Sequence, residues 1–187
     1  MSNYGNRGMT FETIIDYANR RYRQDGIAMI TKQHTKFIPL RNGSGKIVSC
    51  KVEEKATVDY MGRYHDRPIA FEAKHCSEDI IRLARVEDHQ RQFLDEWRTP
   101  AAIAFVLVSF RFEAYYLIPW HFWSASVTAR NQRSPMEVGN RNMMKASWMA
   151  TGKASIRRDE IPEDLIVNTS PGVSIDYLET VQRLWKV

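Results

Sequence analysis

The run Ile69-Ala70-Phe71-Glu72-Ala73-Lys74 constrains this chain more than any other segment. Its alternation has the two-residue period of a β-strand, with Ile69, Phe71 and Ala73 on one face and Glu72 and Lys74 on the other, about 7 Å apart. A carboxylate and an ammonium therefore share a face. Thirteen residues earlier, Thr57-Val58-Asp59-Tyr60 has the same alternating character. If Met61 to Pro68 forms a hairpin turning at His65-Asp66, Asp59 falls directly opposite Glu72, with Cβ atoms roughly 5 Å apart. Two like charges at that distance call for a cation. Hard oxygen donors suit Mg²⁺ or Mn²⁺, with water and a substrate phosphate completing the shell, and the adjacent lysine can orient or help deprotonate an attacking water. This is the layout of a metal-dependent phosphodiester-cutting site, although a lone Glu-x-Lys pair is more often surface decoration.

The 187 residues suffice for one domain, read here as residues 1–187, with a good core and no need of disulfide or metal staples. Cys50 and Cys76 show no paired spacing, which suits a reducing cytoplasm. No apolar run approaches the ~20 residues of a membrane span, and Met1 to Gly5 lack the apolar segment of a secretory signal, so a cytoplasmic protein without a membrane partner is expected. The net charge of +5 is segregated: residues 101–158 hold eight Lys/Arg against two Asp/Glu, and residues 159–187 hold two against six. A basic surface gathers polyanions and binds phosphate in a salt-sensitive way.

Phe11, Ile14, Ile15, Ala18 and Tyr22 recur at helical spacing behind Thr10, which predicts an amphipathic helix over 10–24. Glu12 and Asn19 lie on the flank of its apolar stripe, within reach of a site at a sheet edge. A first strand is expected over 27–33. Lys36 to Leu40 and Lys46 to Val52, flanking a Gly- and Ser-rich turn, predict a projecting β arm or stalk. Gly43-Ser44-Gly45-Lys46 is not a phosphate loop, because Leu40 and Ile47 occupy positions that need Gly and Ser/Thr. Leu83, Val86, Gln90, Phe93, Leu94 and Trp97 predict a second helix stopped by Pro100. Strands follow at 103–108 and 114–118, residues 124–158 read as loop with short helical pieces, and 175–185 as a terminal helix. The order implies a mixed central sheet with a helix on each side. His75, Cys76 and His89 lack the spacing of a zinc site. Trp120-His121-Phe122-Trp123 suits the core or a dimer contact better than stacking on unpaired bases.

With these elements in place, the sequence resembles the RecU family of Holliday junction resolvases, within the restriction-endonuclease-like nucleases. The resemblance rests on Gly5-Asn6-Arg7-Gly8, Phe11-Glu12, Asn19, Tyr22, Lys32, Thr57-Val58-Asp59-Tyr60 with Gly62, Ile69 to Lys74, and His89-Gln90, and weaker similarity continues to Asp176-Tyr177-Leu178. It implies a restriction-endonuclease-like α/β core with a stalk at about 36–52, and a homodimer that cuts four-way junction DNA with paired nicks, using Mg²⁺ or Mn²⁺. Recombinase proteins are possible further partners. Asp59 and Glu72 match the metal ligands, Lys74 the residue that serves the water, Glu12 an accessory acid and Gln90 a supporting residue. Arg7, Lys32, Arg41 and Arg63 are the candidate DNA contacts. The chain departs from the family at His75-Cys76-Ser77-Glu78-Asp79, in the stalk sequence and in lacking the long leader of some relatives, so junction geometry and site preference need not be shared. A related nuclease acting on other branched or duplex DNA, or a non-catalytic recombination accessory protein, are the competing readings.

Overall fold

The computed structural model describes residues 10–138 and 148–187, so Arg7 and its glycine loop lie outside the described residues. Helix α1 (Phe11–Gln24) forms where expected. The Thr10 hydroxyl accepts from the Thr13 amide at 3.2 Å, the helix buries Phe11, Ile14, Ile15, Ala18 and Tyr22, and the chain leaves through Gly26 at φ +69°.

Five strands make the central sheet: β1 (Ala28–Lys32), β4 (Tyr60–Tyr64), β5 (Arg67–Cys76), β7 (Ile103–Phe110) and β8 (Ala114–Pro119), in spatial order β1-β4-β5-β7-β8. The pairs are antiparallel except β5–β7, so the sheet is mixed as the element order implied. Parallel strands need a crossover. Here it carries β6 (Ile80–Arg82), a 3₁₀ turn (Leu83–Arg85) and α2 (Asp88–Trp97), which packs over β5. The opposite face of β5 meets α1 and α4 (Tyr177–Trp185). There Tyr60, Phe71 and Phe105 stack at 4.9 and 4.7 Å, and Tyr177 closes on Phe71 at 5.1 Å. With layers on both sides, β5 is buried on both faces, which is uncommon for a strand carrying a Glu-x-Lys pair.

Between β1 and β4 the chain leaves the sheet as a separate antiparallel ribbon of β2 (Lys36–Arg41) and β3 (Ile47–Glu54). Its turn is tied by Asn42, whose side-chain oxygen accepts from the amides of Ser44 and Lys46 at 3.1 and 3.0 Å. All of β2 is exposed, and so are Ile47, Val48 and Val52 of β3. This is the expected projecting arm.

Two expectations change. The second helix starts at Asp88 rather than near Leu83, because Leu83 and Val86 fill the core from a 3₁₀ turn and an extended residue. Residues after Pro119 form a full helix, α3 (Trp120–Gln132), followed by β9 (Met136–Val138), β10 (Trp148–Ala150) and β11 (Ser155–Arg157). The helix was hidden because its buried positions include Ser126, whose hydroxyl donates to the Phe122 carbonyl at 3.0 Å and accepts from the Trp148 indole at 2.8 Å. Trp120, Phe122 and Trp123 are almost wholly buried, so this aromatic run is core and not a surface for bases.

Candidate active site

The β4–β5 hairpin has the register read from the sequence: Tyr60 pairs with Phe71 and Tyr64 with Arg67, leaving His65 and Asp66 as the turn. Asp59 stands just ahead of the first pair, opposite Glu72. Their contacts interlock. The Asp59 amide donates to Glu72 Oε2 at 3.2 Å, and the Ala73 amide donates to Asp59 Oδ2 at 2.9 Å. From the third strand, the Gln33 amide donates to the Asp59 carbonyl at 2.7 Å. Backbone on three strands thus fixes the aspartate.

Glu72 is not the open, solvent-facing carboxylate that strand alternation suggested; it is 0% exposed. Helix α2 covers it. Its Oε1 accepts from Lys74 Nζ at 2.5 Å and from Gln90 Nε2 at 2.7 Å. Burial, and next the neighbouring Asp59 charge, push its pKa up to about 8, against the pull of the Lys74 ammonium. Three donors favour the anion, yet desolvation together with the Asp59 charge outweighs them. Lys74 is 15% exposed, and Asp59 is also partly open to solvent.

The Gln90 amide is held by the helix start. Glu87 is the N-cap residue of α2, and its amide donates to Gln90 Oε1 at 2.9 Å. Because Oε1 is occupied there, Nε2 must face Glu72. Sequence reasoning missed Glu87, although a capping acid three residues before Gln90, at the head of an apolar-spaced helix, is a readable signal. The Glu87 carboxylate also meets Lys55 Nζ at 2.9 Å, and this lysine holds it below the usual carboxylate range.

Asp59, Glu72, Lys74 and Gln90 are therefore brought together. Glu12 is not in that group; its carboxylate is turned to Lys32, 2.6 Å away, on the α1–β1 side. The same pair raises the Lys32 pKa, with a smaller push from Asp59, so both stand close to the acid cluster. Tyr60, the residue after Asp59, donates to Asp16 Oδ1 at 2.9 Å and to the Glu12 carbonyl at 3.2 Å, pinning α1 beside the hairpin. Of the expected DNA contacts, Lys32 has its charge compensated by Glu12. Arg41 lies at the arm tip with a guanidinium nitrogen donating to the Gly45 carbonyl at 2.8 Å, and Arg63 is exposed on β4.

Asp59 and Glu72 are a two-carboxylate donor set; no group of three or more His, Cys, Asp or Glu gathers as a metal cluster among the described residues. Two carboxylates, with water and substrate phosphate in the remaining positions, suit Mg²⁺ or Mn²⁺. The raised pKa of Glu72, set by burial and by the Asp59 charge beside it, marks a position where added positive charge would favour the ionised pair. A mixed sheet presenting two acids and a lysine from adjacent strands defines the class: a phosphodiester-cutting nuclease.

The family model for Recombination protein U, RecU, matches residues 6–139. The chain belongs to the RecU family. It is 27% identical over 193 residues to the Holliday junction resolvase RecU of Bacillus subtilis, across 97% of this chain and 82% of that protein. The Holliday junction resolvase RecU of Bacillus pumilus is 29% identical over 196 residues, covering 98% and 83%. That of Streptococcus pneumoniae is 33% identical over 124 residues, 63% of each chain. Among solved structures, Hjc, a Holliday junction resolvase of Archaeoglobus fulgidus, aligns with a TM-score of 0.36 at 11% identity, over 58% of this chain and 78% of that one.

Proposed function

We propose that this RecU-family chain is a Holliday junction-resolving endonuclease that makes paired nicks with a divalent metal, Mg²⁺ or Mn²⁺, held by Asp59 and Glu72. The observation that carries the reading is the interlocked acid pair on adjacent strands with Lys74 against it. A bound cation there supplies positive charge to the phosphate and a more acidic water. The protein's own part is positioning. Backbone amides hold both carboxylates, Gln90 donates to Glu72, and Lys74 lies where its ammonium can meet the attacking water or a phosphate oxygen. Water adds to phosphorus, one ester P–O bond breaks, and the departing sugar oxygen takes a proton.

Resolving a four-way junction needs two cuts related by its two-fold axis, and one chain supplies one centre. A homodimer follows from that geometry, with two copies of the arm at the crossover. No described helix is long and apolar enough to cross a membrane; this reading implies action in the cytoplasm beside recombinase proteins.

The test is a synthetic four-way junction against linear duplex, with and without Mg²⁺. Symmetric nicking of the junction alone, and only with metal, is expected. Metal-independent cutting, or equal cutting of duplex, would overturn the reading.

A further inference from the structure

The face of the sheet that carries Asp59 does not end at the acid pair. Alternate residues of a strand share a face, so Asp59, Met61 and Arg63 lie along one side of β4, and Tyr60, Gly62 and Tyr64 along the other. Tyr60 and Tyr64 are buried under α1 and α4, whereas Arg63 is exposed. The neighbouring edge strand continues that side, with Thr31 paired to Met61 and Met29 to Arg63. Thr31 and Met29 are exposed as well, Met29 at 49%. Helix α2 covers the face over Glu72 but not over β1, so an open shelf runs from the acid pair to the far end of the β4–β5 hairpin.

At that end lies an open cavity of about 250 Å³, lined by Arg23, Arg63 and His65 together with residues 26–29. Two guanidiniums and an imidazole meet there, and no carboxylate is among the lining residues. Arg63 Nη1 has the His65 carbonyl at 3.5 Å, a long contact that leaves most of its donors facing outward. Arg23 comes from the last turn of α1, and Gly26 beside it, at φ +69°, adds no side chain to narrow the opening. Arg63 lies four residue steps along the strand from Asp59, a span of ~13 Å, or roughly four base-pair steps of duplex.

We propose that the Arg23–Arg63–His65 cavity is a backbone-phosphate clasp for the DNA arm that leaves the cutting centre, setting how far along that arm the nick falls. The proposal rests on the nuclease reading above and extends it to a second contact on the same face. An arginine fork suits the two free oxygens of a phosphodiester, and the absence of acid in the lining leaves the positive charge uncancelled. Phosphate contacts fix register and carry no sequence information, so the clasp would position DNA without choosing a sequence.

The test uses the full chain carrying Asp59→Asn, so that DNA is bound and not cut, with a labelled four-way junction titrated from about 50 to about 200 mM salt. Adding Arg63→Ala should weaken binding several-fold and make the slope of log affinity against log salt shallower by about 0.9, the value for one lost phosphate contact. Arg63→Lys should restore most of the slope, and Arg23→Ala should behave like Arg63→Ala. Arg82→Ala removes one exposed charge from β6 and should leave the slope unchanged. An unchanged slope with Arg63→Ala, or an equal fall with Arg82→Ala, overturns the clasp. A parent protein that binds no junction overturns the resolvase reading itself, a result separable from the other two.

Discussion

Two antiparallel hairpins of this chain invert the usual rule of polar outside and apolar inside, each in its own way. In the β4–β5 hairpin, the middle of β5 is packed on both faces yet keeps a carboxylate, Glu72, fully buried. The β2–β3 arm is exposed on both faces yet carries Phe37, Ile38, Leu40, Ile47, Val48 and Val52. A buried acid is costly unless a partner shares its charge, and an exposed apolar ribbon is costly unless something covers it. An isolated two-stranded ribbon has little stability of its own. Under the function proposed above, a cation would relieve the first hairpin and DNA would cover the second. Packing within the chain fixes the first, whereas the second stands clear of the rest of the described chain.

The largest effect should come from the acid pair. Asp59→Asn or Glu72→Gln should remove cleavage, by about a hundredfold or more, while junction binding is kept or tightened. Deletion of Arg41 to Lys46 with a short turn restored should do the reverse, sparing metal binding and lowering the junction-to-duplex preference. Gel cleavage and calorimetric Mn²⁺ titration of both variants would separate the two roles, and normal metal-dependent cutting by the acid variants would falsify the assignment.

Next comes stability. Phe71→Ala empties the middle of the Tyr60–Phe71–Phe105 stack and should cost about 3–5 kcal/mol. Leu40→Ala, on the exposed arm, should cost under about 0.5 kcal/mol in dilute protein. Urea midpoints measure both, and similar losses would mean that the arm is already packed in the single chain.

The pH dependence is smaller and isolates Glu72. Its folded pKa of about 8 lies above the ordinary 4.5, so between those values the folded state keeps a proton that the unfolded chain has released. Metal-free stability contributed by this group should therefore fall as pH rises from 4.5 to 8 and level off above. Glu72→Gln should lack that slope, and saturating Mg²⁺ should flatten it in the wild type. His121 titrates in the opposite sense: burial lowers it to about 4, so its contribution is lost as pH falls from 6.5 through 4. The difference between wild type and Glu72→Gln in urea melts at several pH values gives the Glu72 part alone; identical slopes would refute it.

The smallest effect is expected where the arm root meets α2. Lys55, just past β3, pairs with Glu87 at 2.9 Å, and their side chains are 62% and 56% exposed. Such pairs are screened, and Lys55→Ala should move the urea midpoint only slightly, an effect that vanishes at high salt. A larger, salt-independent loss would show the arm root to be rigidly fixed to α2.

The sequence by itself determined the parts governed by local period. Thr10 and the Phe11-to-Tyr22 spacing set α1; the alternation around Asp59 and Glu72, with a two-residue turn between, set their register; and the Gly-rich turn at Asn42 set the arm. Those features depend on backbone geometry over a few residues. Tertiary structure decided what local period cannot carry. Alternation puts Glu72 and Lys74 on one face, but only the β5–β7 crossover decides that α2 covers that face and buries the carboxylate. Glu12 shares the flank of α1 with the site, yet its turn toward Lys32 depends on where β1 lies. Helix α3 escaped detection because Ser126 is satisfied by Phe122 and Trp148, so a polar residue counts as core once its partners are present. Burial is a property of what packs above a residue, and elements distant in sequence supply that cover.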